Sequence, residues 1–139
     1  NGRAIMATSA GSRHAILRKF TDLLQHYRIV CLQETHIFES TSALVSYRVS
    51  KSHRAWHACA PHGGAGGVSV LLHNDYCGPD AVVIPTVIVE DRILRVSVSR
   101  GEVSLRVWSV HNHGISSADI AMACAALSTD ICYSESAPG

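Results

Sequence analysis

A glutamate follows an apolar run that ends abruptly, and a carboxylate in that position could bind a divalent cation. Residues 29–32 (Ile-Val-Cys-Leu) are apolar, and Gln33, Glu34, Thr35 and His36 follow them. An unbroken apolar run is typical of a buried parallel strand, and open α/β folds place ligands at the carboxyl ends of such strands. The pattern therefore predicts a parallel strand that places Glu34 at a sheet edge, where a lone carboxylate suits Mg²⁺. The alternative is that Glu34 is simply the first solvated residue after a strand.

A second apolar segment, residues 103–110, ends in three consecutive polar residues, His111, Asn112 and His113. A lone histidine is more often structural than functional. Three polar side chains at the end of a strand favour a functional role for His111. Asn112 either contacts a phosphate or begins a turn, and we interpret His113 as a turn residue.

The composition is that of an ordinary globular protein. The chain has 139 residues, 47% of them hydrophobic and 17% charged, with a net charge of +1. This length supports one core rather than two domains, and the balance excludes a disordered or strongly basic chain. If the protein has a nucleic-acid partner, that partner must be held by local chemistry rather than by a large positive field. No apolar stretch approaches the roughly 20 residues needed to cross a bilayer.

The cysteines and histidines show no spacing typical of a zinc site. Five cysteines are scattered without a CxxC pair. Their odd number predicts reduced thiols and an intracellular location, nuclear or cytoplasmic. Most of the nine histidines are expected at the surface, and His53 and His57 share no ligand spacing with the others.

The periodicity of the sequence alternates between helical and strand patterns, which predicts an α/β sandwich with helices outside. Gly63–Gly67 is not a phosphate loop, because it lacks the Walker lysine and precedes a strand, so its expected role is to permit positive φ or close packing. Arg100 and Gly101 predict a hairpin turn. The predicted elements are a helix beginning near Ser12, a strand at 28–32, an irregular connection at 38–61 with a possible short strand at 47–49, strands at 68–72, 81–89, 93–98 and 103–110, and a helix at 118–132 capped by Ser116 or Ser117.

Five stretches match the motifs of one enzyme family, in the family's order and with compatible spacing. They are Asn1-Gly2-Arg3, Leu32-Gln33-Glu34-Thr35-His36, Gly66-Gly67-Val68-Ser69-Val70-Leu71-Leu72, Asp91-Arg92-Ile93-Leu94-Arg95-Val96 and Trp108-Ser109-Val110-His111-Asn112. The chain thus resembles the N-terminal half of an endonuclease/exonuclease/phosphatase domain. This is the superfamily of deoxyribonuclease I, the exonuclease III type of apurinic/apyrimidinic endonuclease and the endonucleases of non-LTR retrotransposons. The motifs of this chain resemble most those of the retrotransposon and apurinic/apyrimidinic endonucleases.

The resemblance implies a fold and a metal site. The fold would be the N-terminal portion of a four-layered α/β sandwich, with a mixed, mostly antiparallel sheet and flanking helices. Glu34 would be the principal Mg²⁺ carboxylate, with Mn²⁺ as a possible substitute. Asn1 matches the second polar position of the family's opening motif, which lies close to the metal and the nucleophilic water. The resemblance therefore implies a catalytic role for Asn1.

The resemblance also implies contacts with a phosphodiester. His111 matches the position from which family members place a histidine or tyrosine against the scissile phosphate. Arg92 matches an arginine beside the substrate, where a guanidinium can hold a phosphate bidentately; the alternative is a solvated residue at a strand start. Asn112 and His36 are further candidates for phosphate contact. For His36 this is favoured over metal ligation because the family tolerates lysine there.

Two family segments are missing from residues 1–139. The C-terminal half of the family carries G-D-x-N and [ST]-D-H, which provide the general base, an asparagine and a histidine paired with its aspartate. Asp119 and Asp130 stand in other contexts. We therefore expect a single partial domain, without its C-terminal half, that has little or no nuclease activity by itself.

Three functions remain open from the sequence. The first is a Mg²⁺-dependent DNA endonuclease of retroelement type, whose partner is the DNA phosphate backbone. The second is a phosphoesterase of the same superfamily acting on a phosphoinositide or on sphingomyelin. The third is a non-catalytic remnant.

Overall fold

The structure is a computed structural model that describes residues 10–61 and 65–136. These ranges form helices and strands around two small sheets. In chain order the elements are α1 (Ala10–His26), β1 (Ile29–Gln33), α2 (Glu39–Val49), β2 (His53–Ala58), β3 (Val68–His73), a 3₁₀ turn (Asn74–Cys77), β4 (Val82–Val89), β5 (Ile93–Arg100), β6 (Val103–Val110) and α3 (Ser117–Ser136).

The strands form two three-stranded sheets, ordered β1-β3-β2 and β4-β5-β6, and within the described ranges every strand pair is antiparallel. The predicted α/β class is confirmed, but the prediction of β1 as a buried parallel strand is wrong. β1 is an edge strand in which Val30 is buried and Ile29 and Cys31 are exposed. The apolar run of β1 did not indicate burial on both faces, because outward positions of an edge strand can also be apolar.

The connection predicted as irregular, residues 38–61, contains α2 and β2, so that prediction is wrong. The residues predicted as a short strand, 47–49, are helical. α2 buries only Val45 and Val49, one helical turn apart, which leaves a weak amphipathic signal in the sequence. β2 is also an edge strand and is poor in apolar residues. The sequences of α2 and β2 therefore lack the clear hydrophobic periodicity from which a helix or a strand is predicted.

Two histidines of β2 replace the apolar residues expected of a strand facing a core. His53 is fully buried, with Nε2 donating to the Tyr27 carbonyl at 2.9 Å and Nδ1 lying 2.8 Å from the Ser52 hydroxyl. His57 is half-buried and lies between two serine hydroxyls. These two histidines are exceptions to the expectation that most histidines lie at the surface, because hydrogen bonds to each ring compensate the cost of its burial.

The main core lies between the sheets. Val70 and Leu72 of β3 belong to the same buried cluster as Leu94 and Val96 of β5. Leu94, Val96 and Val98, at alternate positions of β5, are all buried. A second cluster contains Val30, Val49 and Leu71 and is covered by Phe20 and Leu24 of α1.

α3 is joined to the second sheet by charge. Ser116 caps the helix as predicted, since its hydroxyl accepts from Asp119 N–H and the Asp119 carboxylate accepts from Ser116 N–H, both at 3.1 Å. Further along, the buried Asp130 lies 2.8 Å from Nη1 of Arg95 on β5 and 3.4 Å from Nε of Arg106 on β6. This ion-pair group fixes the helix to the outer face of the sheet.

The β5–β6 hairpin turn predicted at Arg100 and Gly101 is confirmed, with Gly101 at φ +59°. Across residues 10–61 and 65–136, none of the helices combines the length and the apolar character needed to span a bilayer.

Candidate functional site

The candidate site forms where ends of both sheets meet. In the first sheet Gln33, the last residue of β1, pairs with Val68, the first residue of β3. In the second sheet Ile93, at the start of β5, pairs with Val110, at the end of β6. The side-chain amide of Gln33 donates to the carbonyl of Val110 and so joins the two sheet ends. Residues that immediately precede or follow these four positions are therefore brought together.

Glu34, His36 and His111 form one side-chain cluster. Nε2 of His111 lies 3.1 Å from Oε1 of Glu34, and Nε2 of His36 lies 3.3 Å from Oε2. The carboxylate is 18% exposed, His111 is 12% exposed and His36 is 31% exposed. His36 thus projects to the same side as Glu34. The carboxylate is thus partly shielded yet open to solvent, with an imidazole nitrogen beside each oxygen.

The backbone that carries this cluster is unusual. Glu34, His36 and Asp91 have φ of +53°, +51° and +52°, in the left-handed region that non-glycine residues seldom adopt. Each such residue costs on the order of 1 kcal/mol, and such strain concentrates at functional sites. The glutamate–histidine turn is held in this form by Thr35 N–H donating to Gly67 O at 3.1 Å and by His36 N–H donating to Gly66 O at 3.0 Å.

Two glycines make this close packing possible, as the sequence predicted. At Gly67, φ is +86° and a Cβ would lie 2.7 Å from the Thr35 hydroxyl. At Gly66, φ is +118° and a Cβ would lie 2.1 Å from Nη1 of Arg92. A larger residue at Gly67 would displace the loop that carries Glu34, and a larger residue at Gly66 would displace the guanidinium of Arg92.

Arg92 lies at the same end of the sheets, and its backbone carbonyl accepts from His111 N–H at 2.8 Å. Its Nη1 is 2.8 Å from Oδ2 of Asp91, and both side chains are mostly buried. Nη2 and Nε face Gly114 instead, at 3.7 and 3.9 Å from the position of a Cβ there. A phosphate contact by Arg92 stays a prediction, and Nε and Nη2 are the nitrogens that do not face Asp91.

Asp91 is a site residue that sequence reasoning did not select. Its carbonyl accepts from Gly67 N–H at 3.0 Å, which links the loops of the two sheets. The available signal in the sequence was an aspartate directly before Arg92 at the start of a strand.

Two other residues were predicted from the sequence to belong to the site. Asn112 is exposed, and its phosphate contact stays a prediction. Asn1 lies outside the described residues.

Glu34 is the one side chain of this cluster that offers the oxygen ligands Mg²⁺ prefers. Mg²⁺ is commonly held by one or two carboxylates and keeps several waters, whereas imidazole nitrogens suit softer ions. Glu34 supplies the one oxygen ligand, and the two histidines suit contact with a phosphate. Within the described ranges, no three His, Cys, Asp or Glu side chains form a group that could hold a metal ion. A magnesium ion here would therefore depend on water and on substrate oxygens.

A cavity of about 780 Å³ adjoins the site on the side of α2. Asp91 contributes to its lining, as do Phe38, Trp56 and His57. Burial lowers the pKa of His57 to about 4, so this imidazole is neutral at physiological pH.

No protein-family model matches this chain, and no curated protein sequence matches it.

Proposed function

We propose that this chain is the N-terminal portion of an endonuclease/exonuclease/phosphatase domain and forms part of a Mg²⁺-dependent phosphodiesterase site, with DNA as the substrate. The observation that carries the proposal is the cluster of Glu34, His36 and His111. The motif residues that suggested the family are distant in sequence, yet Glu34 and His111 are 3.1 Å apart.

The fold supports the proposal at the level of layers. Two sheets enclose one core, α1 covers the outer cluster of the first sheet, and Asp130 joins α3 to the outer face of the second. We interpret this order of helix, sheet, sheet and helix as part of a four-layered α/β sandwich of the deoxyribonuclease I type.

Each side chain of the cluster has a defined task in this proposal. Glu34 would hold the magnesium ion, and a bound ion supplies charge that neutralises the phosphate as cleavage proceeds. His111 and His36, whose Nε2 atoms face the Glu34 carboxylate, would lie beside a phosphate bound at that ion, with His36 on the more exposed side. Arg92 binds a phosphate oxygen through Nε and Nη2, while Asp91 keeps its guanidinium in place.

Two features of the His111 environment agree with a role in binding rather than in stability. Its Nδ1 is buried and, among the described residues, has no hydrogen-bond partner. An unsatisfied buried polar atom costs about 1–3 kcal/mol, and such costs persist where function requires the group. Glu34 and His36 next to it hold strained backbone.

The chain by itself is expected to cleave DNA slowly or not at all. Residues 1–139 contain no G-D-x-N or [ST]-D-H segment, and the general base of the family lies in those segments. Loss of a general base costs roughly 10²–10⁴-fold in rate. Substrate and metal binding do not require that base and are the properties to measure first.

The test is magnesium binding, measured by calorimetry and by the Mg²⁺-dependent shift of the thermal unfolding midpoint. The wild type should bind, and Glu34→Gln should abolish both signals because the only carboxylate of the cluster is lost. Glu39→Gln is the matched control, since Glu39 is an exposed glutamate on α2. Equal responses of the wild type and Glu34→Gln to Mg²⁺ would refute the proposal.

Activity assays then separate the open alternatives. A sensitive plasmid-nicking assay with Mg²⁺ should show little or no cleavage, and robust nicking that Glu34→Ala abolishes would contradict the expected inactivity while supporting the DNA substrate. Turnover of a phosphoinositide or of sphingomyelin, without turnover of DNA, would favour the second function. Absence of both Mg²⁺ binding and turnover would favour the non-catalytic remnant.

A further inference from the structure

A second pocket lies at the end of the first sheet that is opposite Glu34. β1 runs from Ile29 to Gln33, and the residues before Ile29 therefore lie about 17 Å from the Glu34 end, at roughly 3.3 Å per residue. The pocket has a volume of about 520 Å³ and lies among the C-terminal ends of α1 and α2, the start of β1 and the end of β3. It is independent of the proposed phosphodiesterase site.

The lining of this pocket is basic. Five of its residues can carry positive charge, and none of the lining residues is Asp or Glu. They are His26, Arg28, Arg48, Lys51 and His73. For a chain with a net charge of only +1, this is a strong local concentration of positive charge.

Some of these charges are already paired and others are available. Asp75 pairs with Nη2 of Arg28 at 2.8 Å and lies 3.3 Å from Nδ1 of His73. Among the described residues, neither Arg48 nor Lys51 has an acidic partner, and both side chains are exposed. These two side chains supply the charge that an anion would meet.

Basic residues at helix C-terminal ends often serve only to interact with the last carbonyls of the helix. At α2 those carbonyls have other donors. Tyr47 O accepts from the N–H and hydroxyl of Ser50 at 3.2 and 2.7 Å, Val49 O accepts from Ser52 N–H at 3.1 Å, and Ser50 O accepts from the Asn74 amide at 3.2 Å. Arg48 and Lys51 are therefore not needed to cap the helix.

An exposed aromatic ring lies among these cations. Tyr27 lines the pocket and is 60% exposed, although its backbone is fixed. Its N–H donates to Leu23 O at 3.0 Å, and its carbonyl accepts from Nε2 of the buried His53 at 2.9 Å. An aromatic side chain beside cations without acidic partners is a combination that can bind a base and its phosphate.

We propose that this pocket binds a nucleotide unit, with the base stacked on Tyr27 and the phosphate held by Arg48 and Lys51. An arginine fork and a lysine ammonium suit a phosphate dianion or diester. The volume is within the range of pockets that hold ligands of this size. The unit is either a free nucleotide or one residue of a single-stranded nucleic acid, and the experiment distinguishes these sources.

The experiment is fluorescence anisotropy with a fluorescein-labelled oligo(dT) at low salt in EDTA, so that a metal at Glu34 does not contribute. The double variant Arg48→Glu/Lys51→Glu should weaken binding about tenfold or more. The control Arg18→Glu/Lys19→Glu makes the same charge change on the exposed surface of α1, outside the pocket lining, and should have little effect. Equal losses in both variants, no loss in either, or no binding by the wild type would overturn the proposal.

A second variant tests the aromatic contact. Tyr27→Ala should weaken oligo(dT) binding several-fold, because the base loses its stacking surface, and should leave pyrophosphate binding unchanged. If Tyr27→Ala has no effect on the oligonucleotide, the proposal is wrong. Competition with adenosine monophosphate identifies the source: displacement by the free nucleotide assigns a small-molecule ligand, and binding of the strand alone assigns single-stranded nucleic acid.

Discussion

Acidification should destabilise this protein through the half-buried histidine His57. Its Nδ1 lies 2.7 Å from the hydroxyl of Ser69, and its Nε2 lies 3.3 Å from the hydroxyl of Ser46 on α2. Burial lowers the pKa of His57 from 6.5 to about 4. The imidazole therefore stays neutral in the folded protein under conditions in which the unfolded chain would protonate it.

The sign and the size of the effect follow from this difference in pKa. The stabilisation is fully present above pH 6.5, declines as the pH falls because the unfolded chain binds a proton that the folded protein does not, and is lost below about pH 4. A tenfold change in proton affinity is worth about 1.4 kcal/mol, so the whole effect is about 3 kcal/mol. Most of it, about 2–3 kcal/mol, should be lost by pH 4.5.

The assay is urea unfolding at several pH values between 7 and 4.5 for the wild type and two variants. His57→Gln lacks the titrating group, so its free energy of unfolding should fall by about 2–3 kcal/mol less than that of the wild type over this range. His113→Gln is the control, since His113 is exposed and should follow the wild type. If His57→Gln loses as much stability as the wild type between pH 6.5 and 4.5, the reasoning about His57 is wrong.

Two further predictions concern stability at neutral pH, and urea unfolding measures both. Gly66→Ala should lower the free energy of unfolding by about 2 kcal/mol or more, because φ is +118° and a Cβ would lie against Nη1 of Arg92. Gly101→Ala should lower it less, by about 1 kcal/mol, because no atom lies within 4 Å of its Cβ. A larger loss for Gly101→Ala would contradict this. Asp130→Ala should cost about 3 kcal/mol, because two partly buried arginines lose their carboxylate. Asp80→Ala, which breaks only an exposed pair, should change stability little, and equal losses in these two variants would exclude a special role for Asp130.

The elements that the sequence predicted well are those whose local pattern matches their final environment. β5 alternates Leu94, Val96 and Val98 with polar residues, and those three are buried in the core. The cap of α3 depends on Ser116 and Asp119, three residues apart, so it also forms locally. Such signals can be read without knowledge of what packs against the element.

α2 and β2 were missed for the opposite reason. Their buried positions are few, and in β2 they include His53, whose burial depends on the Tyr27 carbonyl and on Ser52. Only the folded chain supplies those partners. The direction of β1 was also unreadable, because an apolar run is compatible with a central parallel strand and with the antiparallel edge strand that it forms.

In the candidate site, too, some features could be predicted from the sequence and others depended on the tertiary structure. The sequence by itself determined that a glutamate and a histidine follow the apolar run as Glu34 and His36, and that Gly66 and Gly67 permit positive φ. Only the tertiary structure decided that His111 lies beside Glu34 and that Asp91 holds Arg92. These contacts require the register of two antiparallel sheets and the packing of one sheet on the other, which depend on contacts between residues far apart in the sequence.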